Sequence, residues 1–239
     1  MSTSRPERLG VVIPLLNEQA TLAELLGRVL AQLQDHDQLF AVVDGGSRDD
    51  TRAIVQRAAQ ADPRVQLVWE PDNRHVVGAY LAGFRAALHA ESHWILEMDA
   101  GLSHQPEEIP RFLRAMECGA ELAAGSRFLP GGRFDAPRSR WLLSRGGTWL
   151  ANRMLGTRMR DMTSGFQCFS ARALRHVLEH GLRSRAGFYQ TEVRHLLRDW
   201  NWVEVPIRYV SDLARPHRNS VGESLRLLRV LRREARAER

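Results

Sequence analysis

Short apolar runs and apolar positions at helical spacing alternate through the first half of the chain. Leu9-Gly10-Val11-Val12-Ile13-Pro14 reads as a strand stopped by proline, and Leu22, Leu25, Leu26, Val29, Leu30 and Leu33 then recur on one helical face. Phe40 to Asp44 is a second strand, Gly45 to Thr51 a polar turn, and Ala53, Ile54, Val55 and Ala58 mark a second helix. Val65 to Trp69, a helix from Gly78 to His89, and Trp94 to Met98 continue the series. Strands alternating with helices at this spacing imply βαβ units with right-handed crossovers. The expected class is α/β, with a mostly parallel central sheet flanked by helices.

The pattern changes after a fifth strand, Leu122 to Phe128. Pro130 to Pro137 is rich in glycine and proline and reads as a mobile loop. A helix from Arg140 to Leu155 follows, with Trp141, Leu142, Trp149 and Leu150 as apolar anchors. Asp161 to Phe169 reads as a turn running into a strand, 171–181 and 190–199 as helices, and Trp202 to Tyr209 as a last strand. The tail, 222–239, is an arginine-rich amphipathic helix with Leu225, Leu228 and Leu231 at helical spacing. No repeat or long linker divides the chain. It reads as a disordered start (1–8), one domain (9–221) and a basic C-terminal helix (222–239).

Composition adds three things. With 239 residues, 44% of them apolar, the chain can bury one sizeable core, and no run of about 18 apolar residues reads as a membrane span. The polar start, Met1 to Leu9, lacks the apolar centre of a secretory signal, and Cys118 and Cys168 make neither a disulfide framework nor a metal set. Both cysteines read as reduced core thiols of a cytosolic protein. The net charge is +6, and every basic side chain is arginine. Coding bias accounts for the missing lysine; the crowding of arginines from Arg127 onward points to phosphate, which guanidinium binds through two parallel bonds.

Two of the strands run into Asp44 and Asp99. In an open parallel sheet ligands bind beyond the carboxyl ends of the strands, which puts both acids on one rim, where a nucleotide would sit. Taken alone, Asp99 reads equally as a site acid or as an aspartate capping the next turn. Neither GxGxxG nor GxxxxGK[ST] is present, which argues against NAD and a P-loop. Nucleic acid is excluded as a partner, since the arginines lack a recognition motif and interleaved aromatics.

The motifs in order complete the picture. Val12-Ile13-Pro14-Leu15-Leu16-Asn17-Glu18, Val43-Asp44-Gly45-Gly46-Ser47, Met98-Asp99-Ala100-Gly101-Leu102-Ser103-His104, Gly125-Ser126-Arg127-Phe128, Asp161-Met162-Thr163-Ser164-Gly165-Phe166 and Glu204-Val205-Pro206-Ile207 resemble the dolichyl-phosphate mannose synthase group of inverting family 2 glycosyltransferases. The resemblance implies a single nucleotide-sugar-binding domain of the glycosyltransferase A type. Its reaction would move a sugar, mannose or glucose, from a nucleotide diphosphate sugar to a polyprenyl phosphate. Asp99, Arg127 and Arg140 would be catalytic, with the arginines on the acceptor phosphate. Donor binding would fall to Pro14, Leu16, Asn17, Glu18, Asp44, Gly46, Gly78, Ala100 and Gly101, and the acceptor side to Ser164, Gln190 and Glu192. The leaving diphosphate would use Mg²⁺ or Mn²⁺ at Asp99, with Ser103 and His104 near enough in sequence to help, although histidine is a poor Mg²⁺ ligand and His104 reads sooner as a turn or helix-start residue.

The departures fall on the donor or phosphate side. Asp99-Ala100-Gly101 stands for the usual Asp-Ala-Asp, Gly45 for a second acid, Leu16 for a tyrosine, His75 to Ala79 for a glycine-richer turn, and Leu225 for a lysine. Three readings follow: a working transferase with altered metal use or donor, a non-catalytic relative that kept the fold, and a transferase with a soluble acceptor. The expected location is cytoplasmic and peripheral, on a membrane surface or a membrane subunit. The tail either lies in the lipid headgroup plane or packs its leucines on the domain.

Overall fold

The computed structural model describes residues 5–73, 75–210 and 221–237. β1 (Leu9–Leu15), α1 (Leu22–Leu30), β2 (Gln38–Asp44), α2 (Thr51–Ala61), β3 (Val65–Glu70), α3 (Val76–His89) and β4 (Trp94–Glu97) follow the expected alternation. A 3₁₀ turn at Pro106–Glu108 leads into α4 (Ile109–Glu117) and β5 (Leu122–Ser126). Then come β6 (Arg133–Asp135), α5 (Arg138–Leu155), β7 (Gln167–Ser170), α6 (Ala171–His180), α7 (Tyr189–Leu196), β8 (Trp202–Pro206), β9 (Arg208–Val210) and α8 (Val221–Ala237). Ser170 caps α6 by accepting the Ala173 N–H (3.0 Å), and Gly156 ends α5 in the left-handed conformation (φ 73°).

Seven strands form one sheet in the order β3-β2-β1-β4-β7-β5-β8, with only β7 antiparallel to its neighbours. Successive strand residues face opposite sides. Val11 and Ile13 therefore pack with α1, α2 and α4, while Val12 packs with the helices of the other face, α3 and α5 to α8. Both faces are covered, which is why the strands read as continuous apolar runs.

Topology gathers the site. From β1 the chain builds β2 and β3 to one side and β4 to the other, so the crevice between β1 and β4 is the switch point of the sheet. Because β7 runs backwards, the segment before it, Asp161 to Phe166, reaches the same rim as the carboxyl ends of β1, β2, β4, β5 and β8. All six motif segments thus meet at one edge.

Several expectations are corrected. The last strand divides at Ile207: β8 stays in the main sheet, and β9 pairs in parallel with β6, which lies inside the expected Pro130–Pro137 loop. Asp135 ties these two short strands, taking the Nε of Arg133 and of Arg208 at 2.8 Å each. On α5, Thr148, Ala151 and Leu155 make the packed face, while Trp141, Leu142 and Trp149 are exposed. Cys118 is exposed, and Cys168 alone is a core thiol. In α8, Leu227, Leu228 and Leu231 are buried against the domain and Leu225 is not, so the packed alternative for the tail holds. Arg5, in the stretch expected to be disordered, is ion-paired with buried Asp37.

Candidate active site

Asp99 follows β4 by two residues, at the switch point. Its side chain is 39% exposed, and its Oδ1 accepts the Tyr80 hydroxyl of α3 at 2.9 Å. Burial, then the charge of Asp99, push Tyr80 well above its ordinary pKa, so it stays a donor. The Asp99 N–H donates to His104 Nδ1 (3.1 Å), which leaves the ring proton on Nε2. His104 is fully buried, stacked on Phe166 at 4.9 Å, and burial lowers its pKa. It is therefore a neutral strut under the Asp99 turn. Gly101 and Leu102 close that turn with positive φ, 73° and 59°.

Opposite Asp99 stand Gly165 and Gln190. A Cβ on Gly165 would lie 2.9 Å from Gln190 Nε2 and 3.3 Å from Asp99 Oδ1, so only glycine lets β7's approach come this near. Of the other acceptor-side residues, Ser164 turns its Oγ to the Phe166 N–H (3.4 Å). Glu192 accepts the Arg183 and Ser184 N–H groups at 2.9 and 3.0 Å and is 2% exposed. Those bonds make Glu192 a clamp on the turn before α7.

The residues expected on the donor side line the other half of the rim. Asp44, at the end of β2, accepts the Gly46 N–H through Oδ1 (2.7 Å) and the Asn73 amide through Oδ2. Asn17, with φ 55°, accepts the Arg48 N–H (2.7 Å), and Leu16 stands half exposed beside Gly46. Pro14 lies in β1, and the Glu18 N–H donates to Thr51 (2.7 Å). Gly78 sits in the first turn of α3, donating its N–H to His75 Nδ1 (2.9 Å), and Ala100 is buried.

Beneath the other side lies a buried ion pair. Arg127 grips Asp161 with Nε (2.7 Å) and Nη2 (2.8 Å), and its Nη2 also reaches Thr163 (2.6 Å). Phe134 on β6 covers the guanidinium at 4.4 Å. Arg194, fully buried on α7, donates to the carbonyls of Asp161 and Ser164 and to Gln167. Burial opposes the charge of Asp161, but Arg127 and Arg194 overcome it and hold the acid at about 2. Arg127, expected to hold phosphate, has its Nε and Nη2 engaged by Asp161 and Thr163. Arg140 donates to the Tyr209 hydroxyl (3.1 Å), and Tyr209 interacts in turn with Ser103 and the charge of Asp99.

Sequence reasoning missed Tyr80, Tyr189, Tyr209, Glu97 and Arg194. Glu97, two residues before Asp99, is fully buried; burial pushes it up to about 8 against bonds from Gln167 (2.7 Å) and Tyr189. The chain has three tyrosines, and all three flank this site. That scarcity was the available signal. As for a cation, Asp99 offers one open carboxylate, and the second acid is replaced by Gly101. Among the described residues no three His, Cys, Asp or Glu side chains gather to hold a metal, so Asp99 fits a cation only together with phosphate ligands from a bound substrate. No helix of the described residues is long and apolar enough to cross a membrane.

The chain is 36% identical over 214 residues to polyprenol monophosphomannose synthase of Mycolicibacterium smegmatis, covering 87% of this chain and 80% of the relative. It is 35% identical over 206 residues to undecaprenyl-phosphate mannosyltransferase of Micrococcus luteus, covering 85% and 84%. In fold it is similar to glucosyl-3-phosphoglycerate synthase of Mycobacterium tuberculosis, solved with Mn²⁺, UDP and phosphoglyceric acid: TM-score 0.70, 17% identity, 96% of this chain and 78% of that one. The switch-point crevice, the mostly parallel sheet and the ordered rim motifs agree with a match of residues 10–178 to Glycosyl transferase family 2, and the chain belongs to that family as a glycosyltransferase of GT-A fold.

Proposed function

We propose that this protein transfers a sugar, mannose or glucose, from a nucleoside diphosphate to a polyprenyl phosphate, with inversion at the anomeric carbon. The observation that carries the reading is Asp99: an exposed carboxylate at the switch point, fixed by Tyr80, within electrostatic reach of the Tyr209 that Arg140 bonds. The acceptor class is taken from the polyprenyl-phosphate mannosyl transferases to which the chain is similar.

The acceptor phosphate oxygen attacks the anomeric carbon, the bond from that carbon to the diphosphate breaks, and its electron pair leaves with the nucleoside diphosphate. A phosphate is already an anion, so the step needs orientation and charge stabilisation more than a base. Arg140 faces the acceptor phosphate in this reading, and Arg127 is a positioning residue that holds the Asp161 turn. Pro14, Leu16, Asn17, Glu18, Asp44 and Gly46 take the base and ribose, with Ala100 and Gly101 along the diphosphate. Asp99, with the donor's own phosphates, would hold Mg²⁺ or Mn²⁺, which would offset the charge of the leaving diphosphate. The place of work is the cytoplasmic face of a membrane, where the acceptor is embedded.

Asp99→Asn preserves an oxygen for Tyr80 and removes the charge. Incubation with labelled nucleoside diphosphate mannose or glucose and polyprenyl phosphate should show kcat/KM down by about 10²–10³. Undiminished transfer by this variant refutes the site. Transfer by the native protein to a soluble acceptor, with none to polyprenyl phosphate, refutes the acceptor class.

A further inference from the structure

Helix α5 carries a face that the domain does not cover. Leu142 is 63% exposed and Trp149 is 68% exposed, seven residues apart and so on one side of the helix. Arg138, Arg145 and Arg153, all exposed, fall on that same side at steps of three and four from these two. Leu143, 52% exposed, widens the apolar strip, and Trp141 begins it. The helix contains four arginines and no acid. At its start, Ala136, Arg138, Trp141 and Leu142 line a hollow of about 420 Å³. Arg140, by contrast, turns to Tyr209 and the site.

We propose that this face of α5 lies on an anionic lipid bilayer. Tryptophan and leucine beside arginine on one helical side is the composition that seats a helix in the headgroup plane: rings and methyls enter the acyl boundary, and guanidiniums meet lipid phosphates. Cationic charge unmixed with acids selects an anionic surface. An acidic protein would match the charge and the apolar strip alike, and native protein that binds neither kind of vesicle would point to such a partner instead. The tail does not take this role, since Leu227, Leu228 and Leu231 of α8 are buried against the domain. The inference deepens the acceptor assignment and rests on it for its purpose, because it brings the Arg140 side of α5 to the level of lipid phosphates. It does not rest on it for its test.

The test is co-sedimentation of the full chain, without donor or acceptor, on phosphatidylcholine vesicles and on vesicles of equal phosphatidylcholine and phosphatidylglycerol. Native protein should bind the anionic vesicles in a salt-sensitive manner. The exposed double variant Leu142→Gln/Trp149→Gln should bind them at least about tenfold more weakly. Arg138→Gln/Arg153→Gln should lose the salt-sensitive part, whereas Arg226→Gln/Arg229→Gln on exposed positions of α8 should bind like the native chain. No native binding, equal binding to both vesicles, native affinity in the Leu142/Trp149 variant, or loss only in the α8 variant would each overturn the proposal. Turnover on a short-chain polyprenyl phosphate in detergent-free solution separates the two readings. The Leu142/Trp149 variant should keep it, and its absence in the native protein counts against the acceptor alone.

Discussion

Asp99 and Asp161 stand at the same rim of one sheet. Asp99 leaves 39% of its side chain exposed and takes the Tyr80 hydroxyl, while Asp161 is fully buried and receives five bonds, from Arg127 N, Nε and Nη2 and Thr163 N and Oγ1. A carboxylate with every lone pair engaged can hold a loop but cannot bind a ligand. One with an open oxygen at a switch point can do so, and contributes little to the fold. The two halves of the site are built differently: a rigid, buried arginine side and an open, loosely furnished donor side. The departures at Leu16, Gly45, 75–79 and Gly101 lie on the open half, where a change costs little stability.

The largest effect should come from the buried half. Asp161→Asn leaves Arg127 and Arg194 facing each other without their counter-charge, and urea unfolding should read a loss of about 3–5 kcal/mol. Asp99→Asn, in the same measurement, should stay within about 0.5 kcal/mol of native. Equal losses would break the comparison.

A pH series sharpens it. Asp161 sits at about 2 in the folded chain against 3.8 ordinarily. Its stabilisation is therefore present above pH 4 and lost as pH falls toward 2, about 2 kcal/mol in all. Glu97 works the other way: its folded value, about 8, lies above the ordinary 4.5, so stability intact below pH 4.5 declines as pH rises to 8. Stability profiles should flatten on the acid side in Asp161→Asn and on the alkaline side in Glu97→Gln. An unchanged profile in either variant contradicts the assigned burial.

On the donor half, Gly101→Asp restores the second acid at a left-handed position that aspartate tolerates better than most residues. Calorimetry with a nucleoside diphosphate present should show Mn²⁺ bound about tenfold more tightly, near 1.4 kcal/mol. No change would mean that the missing acid is not what limits the metal. The smallest effect is expected from Leu16→Tyr, an aromatic surface at an exposed position, worth about 1 kcal/mol or fivefold in nucleotide affinity. Weaker binding would place the base elsewhere.

Much of the frame was legible without coordinates. The apolar runs from Val11 to Met98 and the spacing of Leu22 to Leu33 report local geometry, because each strand and helix needs a continuous face to bury. Asp44 and Asp99 could be put on one rim because parallel strands share a direction. The roles of the arginines could not be read that way. Whether Arg127 meets a substrate phosphate or Asp161 depends on a contact 34 positions away, made only because β7 runs against its neighbours.

The sequence by itself determined the alternation of elements, the class of sheet, the order of the rim motifs and the family, since all of these follow from periodicity and from residues in series. Tertiary structure decided which charges are sealed and which are open. It sent Leu228 and Leu231 inward on α8 and left Leu142 and Trp149, which read as apolar anchors, outside on α5. The reason is physical: a helix's periodicity shows that it has two faces, but which face meets the core is set by the elements that the fold places beside it.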